Sequence, residues 1–201
     1  MTQRQHLARS HIRDRVTGEK SIRVQPGQYY VTDHANAMIV TVLGSCVAAC
    51  IRNPRTGFGG MNHFMLPESE GGDWAGLSAQ MRYGNYAMET LINEVLKSGC
   101  RREDLEIKLL GGANMFDGAG TVGTQNATFA KEYLRQEGLT AAAVDLGGVQ
   151  GRRVHYWPTT GRVKRLLLAG TQARTIAVEE KSYRSHLVAS DAATGNIEWF
   201  E

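Results

Sequence analysis

Three of the 201 residues are cysteines and six are histidines, and one pair of them stands at a spacing suited to acyl chemistry. Val47 to Ile51 and Phe58 to Leu66 read as strands joined through Asn53-Pro54-Arg55-Thr56. Asn at the first turn position and Pro at the second are what a type I turn asks for. With the turn centred between Pro54 and Arg55, Cys46 falls opposite His63. Directly opposed residues share a sheet face, with Cβ atoms about 5 Å apart. A thiol reacts as its thiolate. A neighbouring imidazole takes its proton and later protonates the leaving group. The pair therefore points to nucleophilic acyl transfer, with Cys46 as nucleophile and His63 as base. Gly44 and Ser45 are candidates to turn backbone N–H groups toward a developing oxyanion. Thr41, Ser45 and Asn62 are the polar candidates for the group that orients the imidazole.

The competing thiols, Cys50 and Cys100, have no histidine at a hairpin-matched position. Cys46 is accordingly expected to be the most readily alkylated of the three, against the alternative that it is a buried filler. A zinc site from Cys46, Cys50, His63 and Cys100 lacks the paired short spacings of structural zinc centres. No metal or cofactor is expected. Gly118-Ala-Gly120-Thr-Val-Gly123 matches a dinucleotide fingerprint, but Ala113 to Asp117 separate it from the preceding strand. The fingerprint needs its first glycine in the turn directly after the strand, so a glycine-rich loop without nucleotide is expected. His6, His11, His34, His155 and His186 read as arm or surface residues.

The elements that must position the pair are legible in outline. Residues 1–27 are polar and basic and read as an arm of the poorly ordered kind common at untethered termini. Ile39 to Leu43 reads as a buried strand ending at Gly44. Met81, Gly84, Met88, Leu91, Ile92, Val95 and Leu96 recur at helical spacing, with Gly99 as the stop. Ile107 to Leu110 is a strand running into Gly111-Gly112. Asn126 is placed to cap a helix through Glu137, closed by Gly138. Ala141 to Leu146, Arg153 to Trp157 and Val163 to Leu168 are further strands, and 171–201 is an extension ambiguous between helix and tail. With no linker or repeat, the chain reads as one α+β domain in which strands outnumber helices and the helices cover the faces of the sheet system.

Composition narrows the setting. Hydrophobic residues at 42% and charged residues at 21% suit a globular chain. A formal charge of +3 is too mild for a dedicated nucleic-acid binder. No apolar run approaches the ~18 residues of a spanning helix, so no membrane insertion is expected. The odd cysteine count and the lack of a secretory signal point to a reducing, cytoplasmic setting.

The segments Leu43-Gly-Ser-Cys46-Val-Ala and Gly60-Met-Asn-His63-Phe-Met-Leu-Pro67 resemble the CheD family of bacterial chemotaxis proteins. The resemblance continues through Arg82-Tyr-Gly84, Ala87-Met88, Leu91-Ile92 and Leu110-Gly-Gly-Ala-Asn-Met115. Asp145-Leu-Gly-Gly148, Gly151-Arg152 and Thr160-Gly-Arg-Val163 complete it, in order, over about residues 28–170. It implies a core domain over residues 28–170 with the fold of the cytotoxic necrotizing factor catalytic domain, packed mixed β-sheets flanked by helices. It also implies an enzyme converting glutamines of methyl-accepting chemoreceptors to glutamate, without cofactor. The catalytic residues implied are Cys46, His63 and Thr41. Chemoreceptors are the implied substrate and CheC, a phosphatase, an implied partner, with location in the cytoplasm beside receptor arrays. A cysteine hydrolase of small amides or esters, and an idle binding module acting on CheC or receptors, are the alternatives.

Overall fold

The run from Val47 to Ile51 is buried on both faces, and the architecture follows from what covers each. The computed structural model describes residues 6–7, 11–13, 20–67, 74–115, 122–169, 175–176, 178–184 and 187. In chain order the strands are β1 (His6–Leu7), β2 (His11–Arg13), β3 (Lys20–Arg23), β4 (Gln28–Thr32), β5 (Ala37–Leu43), β6 (Val47–Arg52) and β7 (Gly59–His63). Then come α1 (Trp74–Leu96), β8 (Glu106–Gly111), α2 (Val122–Gln136), β9 (Ala141–Leu146), β10 (Arg152–Trp157) and β11 (Arg162–Leu167). A six-stranded mixed sheet has the order β1-β4-β7-β6-β8-β9, and a five-stranded mixed sheet the order β11-β10-β5-β3-β2.

Strand alternation sorts the apolar residues into two cores. Val47, Ala49 and Ile51 point from β6 to α1 and α2, joining Ala87, Met88, Leu91, Ile92, Phe129 and Ala130. Cys46, Ala48 and Cys50 point the other way, toward Ile22, Ile39, Leu43, Val154 and Tyr156 of the five-stranded sheet. The chain is thus an α+β fold of two packed sheets with helices against the outer face of one. No helix among the described residues is long and apolar enough to cross a membrane.

Several sequence expectations change at this level. The hairpin register pairs Cys50 with Met61 and Arg52 with Gly59, and Val47 bridges Phe64. His63 therefore comes level with Ala48, not Cys46. The loop is two residues longer than the tight turn assumed, because Asn53 N–H bonds the Phe58 carbonyl at 2.8 Å and Gly57 turns through φ 76°. An even slip preserves side-chain parity, so His63 and Cys46 still face the same space. The second helix begins at Val122, which leaves Asn126 in its interior instead of at its cap. Lys20–Arg23, within the segment read as an arm, runs parallel beside β5, with Ile22 fully buried. Residues 175–176, 178–184 and 187, in the ambiguous extension, are helical. Residues 116–121 lie outside the described residues, and with them most of the glycine fingerprint; Val122 and Gly123 open α2.

β7 carries two glycines, Gly59 and Gly60, that local preference would not choose for a strand. A Cβ on Gly60 would stand 2.0 Å from the Tyr30 carbonyl oxygen of β4. Gly60→Ala should therefore lower unfolding free energy by about 3 kcal/mol, read from the urea midpoint. A loss under about 0.5 kcal/mol would mean that β4 does not approach β7 so closely.

Candidate active site

β5 belongs to one sheet and β6 to the other, so Gly44-Ser45-Cys46 is the crossing between them. The backbone carbonyls of this crossing are all held from outside the site. Ala113 N–H donates to Gly44 O at 2.8 Å, Asn126 Nδ2 to Ser45 O at 2.9 Å, and Gly112 N–H to Cys46 O at 2.7 Å. Gly111 must be glycine here: its φ is 114°, and a Cβ would lie 2.1 Å from the Cys46 carbonyl oxygen. Asn126 also accepts from Leu66 N–H at 2.8 Å, so one buried amide locks the crossing to the strand end beyond His63. Fixing the Gly44 and Ser45 carbonyls turns the N–H groups of the next residues, Ser45 and Cys46, inward, and Gly44 N–H points the same way.

They converge on a carboxylate. Glu180, from the C-terminal helical residues, accepts from Gly44 N–H at 2.7 Å, Ser45 N–H at 2.8 Å and Cys46 N–H at 3.3 Å. Ser45 Oγ donates to the same group at 2.7 Å. A Cβ on Gly44 would stand 2.7 Å from a Glu180 oxygen, so glycine is what lets the carboxylate in.

His63 lies at the end of β7, buried, with the imidazole facing the inter-sheet space. Thr41 on β5 sits across the gap: its Oγ1 is 2.7 Å from Val24 O and 2.8 Å from His63 Nδ1. The hydroxyl has one proton, and the Val24 carbonyl can only accept. Thr41 therefore donates to Val24 and accepts from Nδ1–H. This leaves the lone pair on Nε2, which is buried and has no hydrogen-bond partner among the described residues. The donor atoms of Cys46, His63 and Glu180 all lie within 4.8 Å of one another. Such a cluster invites a metal, but the carboxylate oxygens already accept two donors each, three N–H groups and the Ser45 hydroxyl, which spends the lone pairs a cation would need.

Burial pushes the Cys46 thiol well up, and the charge and hydrogen bond of Glu180 push it further. Burial also lowers His63, from 6.5 to about 4. The site as seen thus holds a neutral thiol beside a neutral imidazole whose Nε2 is the open base. A cavity of about 640 Å³ adjoins the imidazole, lined among others by Val24, Thr41, His63, Glu180 and Tyr183.

Cys46, His63, Thr41, Gly44 and Ser45 are brought together; Asn62 is not. It lies on the helix side of β7, where it accepts from Ala49 N–H at 2.8 Å and donates to Ala87 O at 2.9 Å. The Ser45 hydroxyl is likewise committed to Glu180, so Thr41 is the candidate that reaches the ring. Cys50 shares the inter-sheet core but has Met61 opposite it, and Cys100 belongs to the helix-side core. Cys46 is completely buried beneath Glu180, and Cys100, at 7% exposure, is the most exposed of the three thiols. Asn126 and Glu180 are absent from the sequence-based candidates. Asn126 carried only a cap signal, and Glu180 stands 134 residues from Cys46.

The depressed His63 gives a pH signature. Unfolded, the ring binds a proton below 6.5; folded, only below about 4. Between those values the unfolded state carries more protons, so stability falls as pH drops through the window. The melting temperature of the wild type should therefore fall more steeply between pH 6.5 and about 4 than that of His63→Gln. Parallel profiles would show that the imidazole is not held neutral.

The family model described as CheD chemotactic sensory transduction matches residues 65–165. A protein of Rhodopseudomonas palustris named "Probable chemoreceptor glutamine deamidase CheD" is 49% identical over 180 residues, covering 90% of this chain and 84% of its own. Its namesake in Thiobacillus denitrificans is 46% identical over 198 residues, covering 98% and 97%. Among solved structures, Neisseria meningitidis NMB0706, of family-model DUF152, shares 11% identity at TM-score 0.34 over 60% of this chain and 52% of its own. That likeness is too slight to bear on the site. With identity near one half across nearly the whole length of such relatives, this chain belongs to the CheD family.

Proposed function

We propose that this chain is a cysteine-dependent protein-glutamine deamidase that converts glutamine side chains of chemoreceptors to glutamate. The observation that carries the proposal is the convergence of a thiol, an imidazole with Nε2 open, and a row of inward N–H groups. Membership of the CheD family supplies the substrate class.

His63 Nε2 takes the thiol proton as Cys46 Sγ adds to the carboxamide carbon. The carbonyl oxygen becomes an oxyanion, and the N–H groups of Gly44, Ser45 and Cys46 are fixed donors for it. Such donors stabilise the charge without reorganising during the reaction. The imidazolium then gives its proton to the departing nitrogen, ammonia leaves, and a thioester remains. Water, deprotonated by Nε2, attacks the thioester and releases a glutamate side chain and the thiol. Thr41 holds the ring in the tautomer that leaves Nε2 available for both transfers.

The cytoplasmic helical region of the receptors is the proposed target, which puts the protein in the cytoplasm, alongside receptor arrays. CheC as a second partner belongs to the same proposal and rests on family membership alone.

The test is ammonia release and the glutamine-to-glutamate mass change in a receptor fragment. Cys46→Ala and His63→Ala should both be inactive. Thr41→Ala should turn over roughly 10- to 1000-fold more slowly, less than the loss of either principal group, because a neutral hydroxyl stabilises imidazolium less than a carboxylate does. Wild-type turnover in Thr41→Ala beside an inactive His63→Ala would assign ring orientation to another group. Full turnover in Cys46→Ala would end the proposal.

A further inference from the structure

The row of N–H groups that the reaction would use is already filled. Glu180 accepts from all three amides and from the Ser45 hydroxyl, and its carboxylate lies within 4.8 Å of the Cys46 sulfur and of a His63 ring nitrogen. Glu180 is itself a glutamate side chain presented from helical backbone. The segment that carries it is seated by more than one contact. Tyr183 Oη meets Tyr83 Oη of α1 at 2.9 Å, and Tyr183 rests against Gly27, where a Cβ would stand 2.4 Å from the hydroxyl. Ile176 and Leu187 are buried.

We infer that the C-terminal helical segment is an intramolecular product analogue, with Glu180 occupying the seat of a glutamate newly formed from a substrate glutamine. This inference rests on the deamidase reading for the identity of the seat. A bound substrate and Glu180 cannot both use the same amides, so the segment must leave before a receptor helix can present its carboxamide. Occlusion acts on the nucleophile as well as on the oxyanion donors. The Glu180 charge and hydrogen bond both favour the neutral thiol, so departure of the carboxylate frees the amides and eases ionisation of Cys46 together. A purely structural clasp would not need its carboxylate aimed at the three amides beside a thiol. The partner that displaces it is defined by the same chemistry: a helix bearing a side-chain carboxamide.

The first experiment does not depend on deamidation. Intact protein is treated with iodoacetamide at neutral pH, and labelling of Cys46 is followed by peptide mapping. In Glu180→Ala, Cys46 should react roughly tenfold faster or more than in the wild type, since thiolate is the reacting species. Melting curves and circular dichroism establish that the fold is retained. An unchanged rate at Cys46 overturns the inference. With a receptor fragment, Glu180→Ala should show higher kcat/KM, the gain falling on KM, because the competent state is no longer a minor fraction. Slower turnover in a folded Glu180→Ala would make Glu180 a participant in the reaction and would also overturn it.

Glu180→Gln supplies a second arm and keeps the side chain's size. It places a carboxamide in the seat. Cys46 Sγ then adds to its carbon as His63 takes the thiol proton, the C–N bond breaks as His63 returns that proton to the departing nitrogen, and water cleaves the thioester. The net change is one water consumed and one ammonia released, restoring glutamate at position 180 with the matching gain in mass. The conversion should be absent when Cys46→Ala is added. Persistence of the introduced carboxamide, in a Glu180→Gln protein that still deamidates receptor fragments, overturns the product-analogue assignment and leaves the deamidase reading standing. Faster Cys46 labelling in Glu180→Ala, with neither the introduced carboxamide nor receptor glutamines converted, supports occlusion and counts against the deamidase reading.

Discussion

The site depends on one constraint: the chain passes from one sheet to the other through Gly44-Ser45-Cys46 with every carbonyl of that crossing held from outside. A carbonyl and the N–H of the next residue point in opposite senses across their shared peptide plane, so fixing the Gly44 and Ser45 oxygens on Ala113 and Asn126 turns the Ser45 and Cys46 N–H groups inward, where Gly44 N–H joins them. A buried N–H needs a partner. Three of them side by side make a place for negative charge, whether a transition-state oxyanion or the carboxylate of Glu180. The glycines follow from this demand, because Gly111 must let a carbonyl pass where a Cβ would collide, and Gly44 must let a carboxylate approach.

The second member of the site comes from the other strand system, and the two are joined by a short polar link. Thr41 belongs to the five-stranded sheet and His63 to the six-stranded one, and their contact at 2.8 Å spans the space between them. Around it the inter-sheet core is almost wholly apolar, built from residues such as Ile39, Leu43, Met61 and Tyr156. That surrounding is why both the thiol and the imidazole are driven to their neutral forms. It is also why the buried amides nearby are closely partnered. Asn62 ties β6 to α1, and Asn126 ties the crossing to Leu66. The contrast is His63 Nε2, the ring atom that the proposed chemistry needs free.

The C-terminal segment changes how this site is understood. Without Glu180 it would be an open arrangement of donors and base; with it, the same donors are satisfied within the molecule. A group that both saturates an anion seat and raises the barrier to thiol ionisation couples access to reactivity through a single side chain.

Local sequence was sufficient for most of the strands, for the two principal helices and for placing Cys46 and His63 on one face. Side-chain periodicity and turn chemistry are short-range properties, and a thiol and an imidazole at either end of one hairpin are separated by few residues. Even the wrong register left Cys46 and His63 on one face, because the slip was even and strand parity has a period of two. What tertiary structure decided was everything that depends on elements distant in sequence. Asn126 reads as a helix cap until α2 is seen to start four residues earlier, with its side chain against the crossing. Thr41, Ser45 and Asn62 are equivalent polar neighbours until packing sends one to His63, one to Glu180 and one to α1. Glu180 has no local signal at all, since an acidic residue in a helical stretch is ordinary. Only the chain's return to the crossing between the sheets brings its carboxylate onto those amides, and that return is fixed by packing against Tyr83 and Gly27, not by any pattern near Glu180 itself.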